Sequence, residues 1–365
     1  MGVEKGLGRR GFLGGFAGLT TLLAAVPSAP AVTPAKEVGL TIRVPPVQPA
    51  PRRRICVMGI GGAGCNTLEA LEKSGAIDAK FIYANTDLNA LHACAGVSRL
   101  QLGRHTTEGL GASATPEIGR HAAEEAADEI RRQLEGGDIV FLAAGMGGGT
   151  GTGSSPVVAR IAREMEILTV AVVTTPFHFE GAHRMRLARH GTESLRSIAD
   201  TTIVVPNQNL FRISNEKTTF AQAFRLGDDI LHGCIRTVAD LMSVPGMVSM
   251  DFADVAFVLR DGGGGMAGVG EAEGDRRALD AAEAAIHNPM LEEAELCGAT
   301  RVLVNVTGGR DLTLYEVDEA ANRVRDELGP EAIVIFATCF DEKMVDRVRV
   351  SVIATGLDST PREPI

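Results

Sequence analysis

The run Ala144-Gly145-Met146-Gly147-Gly148-Gly149-Thr150-Gly151-Thr152-Gly153 is the most chemically specific stretch of this chain. An apolar, strand-like segment, Asp138 to Ala143, precedes it, and an amphipathic helical stretch, Ser154 to Met165, follows. A glycine-rich turn between a strand and a helix start presents several backbone N–H groups at once, and the helix dipole adds positive potential. Such a turn suits a di- or triphosphate, with the hydroxyls of Thr150 and Thr152 as further donors. Glycines at this density carry a folding-entropy penalty that a loop without a ligand has no reason to bear.

A second glycine loop lies upstream. Ile55 to Met58 reads as a buried strand, Gly59-Ile60-Gly61-Gly62-Ala63-Gly64 follows, and Cys65 to Leu71 continues as a helix. This is the G-x-G-x-x-G spacing of dinucleotide sites, and Asp87, after the strand Lys80 to Ala84, lies near the place of a ribose-binding acid. Taken alone, the loop reads as an NAD-dependent dehydrogenase. That reading supplies no catalytic residue set and leaves Gly147 to Gly153 without a role. Two glycine loops at successive strand ends fit a polyphosphate gripped from two sides.

The elements that must hold these loops alternate. Leu168 to Thr174 and Thr202 to Val205 are strand-like, and Arg184 to Ile198 is helical, which implies a largely parallel sheet with ligand loops at the strand C-terminal ends. Asn85-Thr86-Asp87, Phe179-Glu180-Gly181 and Pro206-Asn207 each follow a strand, so all the loops converge on one composite site.

Composition narrows the class. The chain has 365 residues, 45% hydrophobic and 22% charged, which is ordinary for a globular protein. A net charge of −10, no Trp and only two Tyr argue against nucleic acid as a partner. The six cysteines, Cys56, Cys65, Cys94, Cys234, Cys297 and Cys339, show no metal-ligand spacing and read as reduced core thiols of a cytoplasmic protein; no protein metal site is expected. The first 51 residues differ from the rest. Gly8-Arg9-Arg10-Gly11-Phe12-Leu13 opens an apolar stretch to about Val26, Ser28-Ala29-Pro30-Ala31 offers an A-x-A site, and a Pro-rich linker follows. This segment resembles a twin-arginine export signal. An uncleaved peripheral anchor and an upstream start codon are the competing readings, and an export signal conflicts with a site for nucleoside triphosphate. Membrane contact stays open at this stage.

The motifs together resemble the FtsZ family of tubulin-like division GTPases from about Arg54 to Gly356. Gly147-Gly148-Gly149-Thr150-Gly151-Thr152-Gly153 matches the tubulin/FtsZ signature. Further matches are Asn85-Thr86-Asp87, Gly109-Leu110-Gly111-Ala112, Pro176-Phe177, Phe179-Glu180-Gly181, Pro206-Asn207, Asp251-Phe252-Ala253-Asp254-Val255, Asn305-Val306-Thr307-Gly308-Gly309 and Ile353-Ala354-Thr355-Gly356. The resemblance implies an α/β fold: a tubulin-like, Rossmann-type GTPase domain joined by a long central helix to a smaller α+β domain. The expected boundaries are 1–51 for the extension, 52–217 for the GTP-binding domain, 218–245 for the central helix, 246–356 for the second domain and 357–365 for a short tail.

It also implies roles. Gly61, Gly62, Ala63 and Asn66 would lie along the nucleotide. Ala112 and Ser113 would approach the terminal phosphate, and Gly147, Gly148, Gly149, Thr150, Gly151 and Thr152 would wrap the phosphates. Glu180 and Arg184 would contact ribose and phosphate. Asn207 and Asp228 would read guanine, with Phe224 packing on the base. A carboxylate suits guanine, whose N1–H and N2 amino group present two adjacent donors. Magnesium would be held by phosphates and water.

Thr218 to Met242 reads as one long helix with a wide apolar face, stopped by Pro245-Gly246. If it is straight, Asp228 and Asp251 stand about 30 Å apart. The expected catalytic acids Asp251 and Asp254 therefore serve another subunit's nucleotide, and head-to-tail stacking of copies makes a filament. In the second domain Ala256 to Leu259, Arg301 to Val306, Ala332 to Phe336 and Arg347 to Ile353 read as strands, Arg276 to Ile286 and Tyr315 to Leu328 as helices, and Asp261 to Gly274 as a mobile glycine-rich loop. Departures from the family pattern are Ser249 for the usual Asn, Ala182 and His183 for basic residues, and Ser113 and Thr115 for Gly and Asn. They lead to an expectation of retained GTP binding with slow hydrolysis, to be tested by Ser249→Asn. Set against the family pattern, a sequence ending at Ile365 leads to the expectation of a member without the linker and tail peptide of a typical division FtsZ. A weakly hydrolysing regulator or co-polymer subunit of a full-length division FtsZ is the alternative to a self-assembling GTPase, in either case cytoplasmic and at the division site or inner membrane.

Overall fold

Ile55–Ile60 (β1) is buried along its whole length, and its residues serve two cores. Ile55 and Val57 join one cluster; Cys56, Met58 and Ile60 join the other. Ile139–Gly145 (β4) and Leu168–Thr175 (β5) split in the same way, with Phe141 and Val170 on one side and Leu142 and Ala171 on the other. Side chains alternate across a strand, so a continuous apolar run feeds both faces, as a parallel sheet covered by helices requires.

The computed structural model describes residues 53–357, apart from 76, 216, 220–221, 224, 226–231, 234, 240–245, 249–250 and 289–295. The N-terminal extension lies outside the described residues, and so does most of the expected central helix, of which 222–223, 225, 232–233 and 235–239 are helical. The described strands form one eleven-stranded sheet. Arg99–Gln101 (β3), Lys80–Asn85 (β2), β1, β4, β5 and Thr201–Pro206 (β6) run parallel in that order. Gly61–Ser74 (α1), Leu88–Ala93 (α2), Pro116–Glu125 (α3), Ala127–Leu134 (α4), Thr150–Glu164 (α5) and Ala182–Ile198 (α6) connect them, with Leu210–Ile213 (α7) after β6. Beyond Gly246–Val248 (β7) and Phe252–Leu259 (α8), the sheet continues through Gly263–Glu273 (β8), Arg347–Thr355 (β11), Arg301–Gly308 (β9) and Ile333–Phe340 (β10), with β7 at the far edge. Arg277–Ile286 (α9) and Leu314–Arg325 (α10) complete a third core with Val302, Val304, Val350 and Val352.

Two expectations fail here for one physical reason. Ala256 to Leu259 is the last turn of α8, not a strand, and Asp261 to Gly274 is mostly the strand β8, not a loop. A Cβ on Gly268 would stand 1.9 Å from the Ala285 carbonyl oxygen, and one on Gly270 would stand 2.1 Å from that of Ala281. The glycines of β8 let the alanine face of α9 lie directly on the sheet; the composition reports a close approach, not mobility. The helices α3 and α4 carry no expectation from sequence.

A buried cation fastens the third core. Arg277, 8% exposed, donates to Asp311 and Glu316, with Nε 2.6 Å from Glu316 Oε1. Its hydrogen bonds hold both carboxyls below the usual carboxylate range. A depressed folded pKa gives stability that is present above the unfolded value, about 4.3 for Glu, and lost as pH falls through the folded one. Glu316→Gln should therefore flatten the acid limb of a urea-midpoint profile between pH 7 and about pH 3. An unchanged limb would exclude this cluster as its source.

Candidate functional site

A cavity of about 570 Å³ opens where β1, β4, β5 and β6 end. Gly61, Gly62 and Ala63 form one wall, and Gly148, Gly149, Thr150 and Gly151 the other. The first loop is shorter than expected: Gly59 and Ile60 still belong to β1, and α1 begins at Gly61, so its free N–H groups face the cavity. The second helix also starts early, at Thr150, which leaves Gly147, Gly148 and Gly149 as the turn. Gly147 has φ +99°, and a Cβ there would stand 2.9 Å from the Arg184 carbonyl oxygen, so only glycine lets the turn close against α6.

Thr150 and Thr152 divide in role. Thr150 lines the cavity, and its Oγ1 lies 2.6 Å from Thr86 Oγ1, tying the Asn85-Thr86-Asp87 segment to the glycine turn. Thr152 is buried, and its Oγ1 accepts from Gly147 N at 2.8 Å. It braces the turn from behind and is not among the residues that line the cavity. Asp87 is also outside the lining: its carboxylate caps α2, Oδ1 accepting from Asn89 and Ala90 N–H.

At the third side, Glu180 Oε1 accepts from Phe177 N at 2.8 Å and its Oε2 from Arg184 Nη1 at 2.5 Å. Both residues line the cavity with Asn207. Phe177 and Phe179 stack at 4.8 Å between ring centroids, and Phe211 meets Phe177 edge-on. The two stacked rings also bound a neighbouring apolar cavity of about 550 Å³ that reaches Leu210 and Phe211. This aromatic wall was visible in sequence only as Phe-His-Phe; nothing local showed that its rings would line one cavity with the two glycine turns.

Gly147, Asn66, Ala112 and Ser113 are not part of the lining. Asn66 is exposed on α1, while Ala112 is buried, and its carbonyl oxygen would lie 2.7 Å from a Cβ on Gly149. Ser113 and Ala114 have φ +46° and +56°, a conformation that disfavours a side chain by about 1–2 kcal/mol per residue. Ser113→Gly should raise unfolding stability by about 0.5–1 kcal/mol after the extra entropy of the unfolded chain. A urea midpoint that stays level or falls would count against this strain. Phe224, Asp228 and Ser249 lie outside the described residues.

Asp251 and Asp254 sit elsewhere. Asp251 caps α8, its Oδ1 accepting from Asp254 N at 2.9 Å, while Asp254 Oδ2 accepts from Asp251 N at 3.1 Å. The helix is held at the strand starts: Arg53, just before β1, lies over the Phe252 ring, and Thr201, the first residue of β6, donates to Leu259 O. The cavity is at the strand ends. Strands of six to eight residues, at about 3.3 Å per residue, put roughly 20 Å or more between them. One chain cannot bring its own acids to its own cavity.

Comparison with known proteins matches this arrangement. The family model described as Tubulin/FtsZ family, GTPase domain, covers residues 54–215, and FtsZ family, C-terminal domain, covers 263–358. The chain is 53% identical over 306 residues to the cell division protein FtsZ of Rickettsia conorii, an alignment covering 84% of this chain and 68% of that protein. The chain belongs to the FtsZ family. The FtsZ of Magnetospirillum gryphiswaldense is 54% identical over 306 residues, and the chain spans about half, 54%, of its length. Among solved structures, an empty FtsZ dimer from M. jannaschii superposes with a TM-score of 0.78 at 40% identity, covering 85% of this chain and 90% of that one. A GTPγS-bound protofilament of CetZ2 from Haloferax volcanii, at 21% identity and TM-score 0.70, shares the fold over 85% of this chain and 95% of that one. The sheet is thus the mixed α/β sheet of the tubulin/FtsZ fold, carrying that family's GTPase domain and C-terminal domain.

The cysteines match a core-thiol reading in part. Cys56, Cys65 and Cys94 are buried, and burial pushes the Cys56 and Cys65 thiols up, away from reactivity. Cys297 is on the surface. Among the described residues no helix is long and apolar enough to cross a membrane.

Proposed function

We propose that the protein binds GTP in the cavity between the two glycine turns and hydrolyses it to GDP and phosphate when a second copy, stacked head to tail, presents Asp251 and Asp254 to it. The observation that carries this reading is the placement of the cavity at the ends, and the acids at the starts, of the same parallel strands. A heterologous contact of that kind propagates as a filament. The FtsZ relative named as a dimer supports self-assembly.

The residues fit a nucleotide. Gly62 and Gly148 have no heavy atom within 4 Å of a would-be Cβ, so phosphate oxygens can approach their backbone. Gly61, Gly149, Thr150 and Gly151 add the N–H groups of two helix starts. Arg184 supplies positive charge, and its pairing with Glu180 holds the guanidinium in place. Asn207 and the Phe177/Phe179 wall suit the base; Asp228 and Phe224, which the family resemblance assigns to guanine, lie outside the described residues. Magnesium, when present, neutralises phosphate charge; among the described lining residues Glu180 is the one carboxylate and is already paired, so phosphates and water would hold the ion.

The chain's own contribution to the reaction is positioning. The glycine turns fix the phosphates, and the partner's acid helix places two carboxylates where a water must attack in line with the leaving phosphate. In the reciprocal cap each carboxylate uses one oxygen on the other's backbone, and the second oxygen is left to orient water. Loss of the terminal phosphate removes contacts at the joint, so GDP subunits separate more readily. The site would be cytoplasmic, where GTP is abundant.

The test is light scattering of the full chain with GTP, GDP or no nucleotide, with phosphate release followed in the same sample. Scattering that needs GTP, with turnover per subunit rising with protein concentration, is the expected result. Phosphate release independent of protein concentration would overturn the shared site. A weakly hydrolysing subunit that co-assembles with a longer FtsZ is the second reading, favoured by the capping duty of both acids. It predicts GTP binding without turnover until that longer protein is added.

A further inference from the structure

The eight-residue helix α8 is too short to hold its position by its own hydrogen bonds, so its placement comes from the body around it. Val255, Val258 and Leu259 fix its depth by packing into the core, but apolar contact is non-directional and leaves rotation and axial slide poorly defined. Directional contacts are concentrated at the last turn. Arg301 Nη1 donates to Phe257 O and to Arg260 O, each at 2.8 Å. Thr355 Oγ1 donates to Val258 O at 2.8 Å, and Thr201 Oγ1 to Leu259 O at 2.5 Å. The carbonyls that a helix end leaves unsatisfied are thus taken up by side chains from β9, β11 and β6.

Arg301 does more than cap. Its guanidinium lies over the Phe257 ring at 4.9 Å, so one planar group grips both the backbone and a side chain of the turn. The opposite end carries a matching contact: Arg53 lies over the Phe252 ring at 4.8 Å while its Nη1 meets Asp138 Oδ1 at 3.1 Å. Phe252 stands between Asp251 and Asp254, and the positive charge near the last carbonyls also complements the helix dipole.

We infer that Arg301 is a positioning residue for the reaction: by clamping the last turn of α8 it sets where Asp251 and Asp254 stand when they reach a neighbouring subunit's nucleotide. Arg53 clamps the first turn to the same effect. The inference rests on the assignment of those two acids to hydrolysis under the proposed function.

The experiment compares the full chain with Arg301→Ala, Arg301→Lys, Arg53→Ala and Asp254→Asn. For each, GTP turnover is measured at saturating protein and GTP, together with KM for GTP, the mass assembled with a slowly hydrolysed GTP analogue, and the thermal midpoint. Arg301→Ala is expected to lower kcat about fivefold, with KM, assembled mass and midpoint near the parent's. Arg301→Lys should recover part of the loss, because an ammonium can still donate to the carbonyls but not stack as a plane. Arg53→Ala should show a smaller drop of the same kind. If Asp254→Asn is inactive while both Arg→Ala variants turn over at the parental rate, the positioning role is overturned and the catalytic reading stands. If kcat falls only in step with the thermal midpoint, and Arg301→Lys recovers the midpoint alone, Arg301 is a stability residue and the inference is wrong. If Asp254→Asn keeps parental turnover, the assignment of the acids fails and the positioning role falls with it.

Discussion

Asp254→Asn should reduce steady-state GTP turnover by about a hundredfold or more, the range for removing a group that handles the attacking water, while GTP binding and assembly persist. Asparagine is the informative replacement. It keeps an oxygen for Asp251 N–H and leaves the Asp251 cap on the residue-254 backbone N–H untouched, so α8 keeps its start and only the charge is lost. The cavity is at the other edge of the sheet, so GTP affinity should not move. Mixing supplies a second readout. Subunits carrying Asp254→Asn hold GTP, and subunits defective in the glycine turn still offer acids; together they should release phosphate that neither releases alone. Parental turnover in Asp254→Asn would sink the shared-site mechanism.

The second large effect separates two classes of glycine within the same motifs. Gly62→Ala and Gly148→Ala should fold with parental midpoints and lose GTP affinity by about tenfold to a hundredfold, because their added methyls meet no protein atom within 4 Å and stand where phosphate approaches. Gly64→Ala and Gly153→Ala should fail to fold properly, losing about 3 kcal/mol or more. A Cβ at Gly64 would lie 2.2 Å from Ala143 O, and one at Gly153 would lie 1.9 Å from Pro116 O. The backbone atoms they meet belong to β4 and α3, which cannot retreat without moving the core. Calorimetry and GTP titration on the four variants decide the matter. Equal stability across all four would refute the division, and so would undiminished GTP affinity in the first pair.

Those glycines show how far a motif can be read without coordinates. Gly59 to Gly64 and Gly147 to Gly153 were legible as strand-to-helix turns because strand, glycines and helix follow one another in the chain. Which glycine faces ligand and which faces a neighbouring backbone was not legible, since Pro116 and Ala143 reach them only through space. Thr152 illustrates the same limit. Its hydroxyl is two residues from that of Thr150, yet it turns inward to Gly147 N. The alanine-rich α9 made a strand of the glycine-rich stretch after Asp261, which no pattern within that stretch announces.

What the sequence by itself determined is the chain direction of the chemistry. Buried apolar runs such as Ile55–Ile60 must lie in a parallel sheet, and loops that follow such runs must gather at one edge, so the two glycine turns, Glu180, Arg184 and Asn207 were bound to meet. Only the tertiary structure decided what stands at the other edge. It made Ala256 to Leu259 the end of a helix, coupled Asp251 and Asp254 in a reciprocal cap, and brought Arg53 and Arg301 from distant positions to hold that helix. The physical reason is range. Periodicity and turn chemistry act over a few residues, whereas a short helix takes its identity and orientation from the surfaces it packs against.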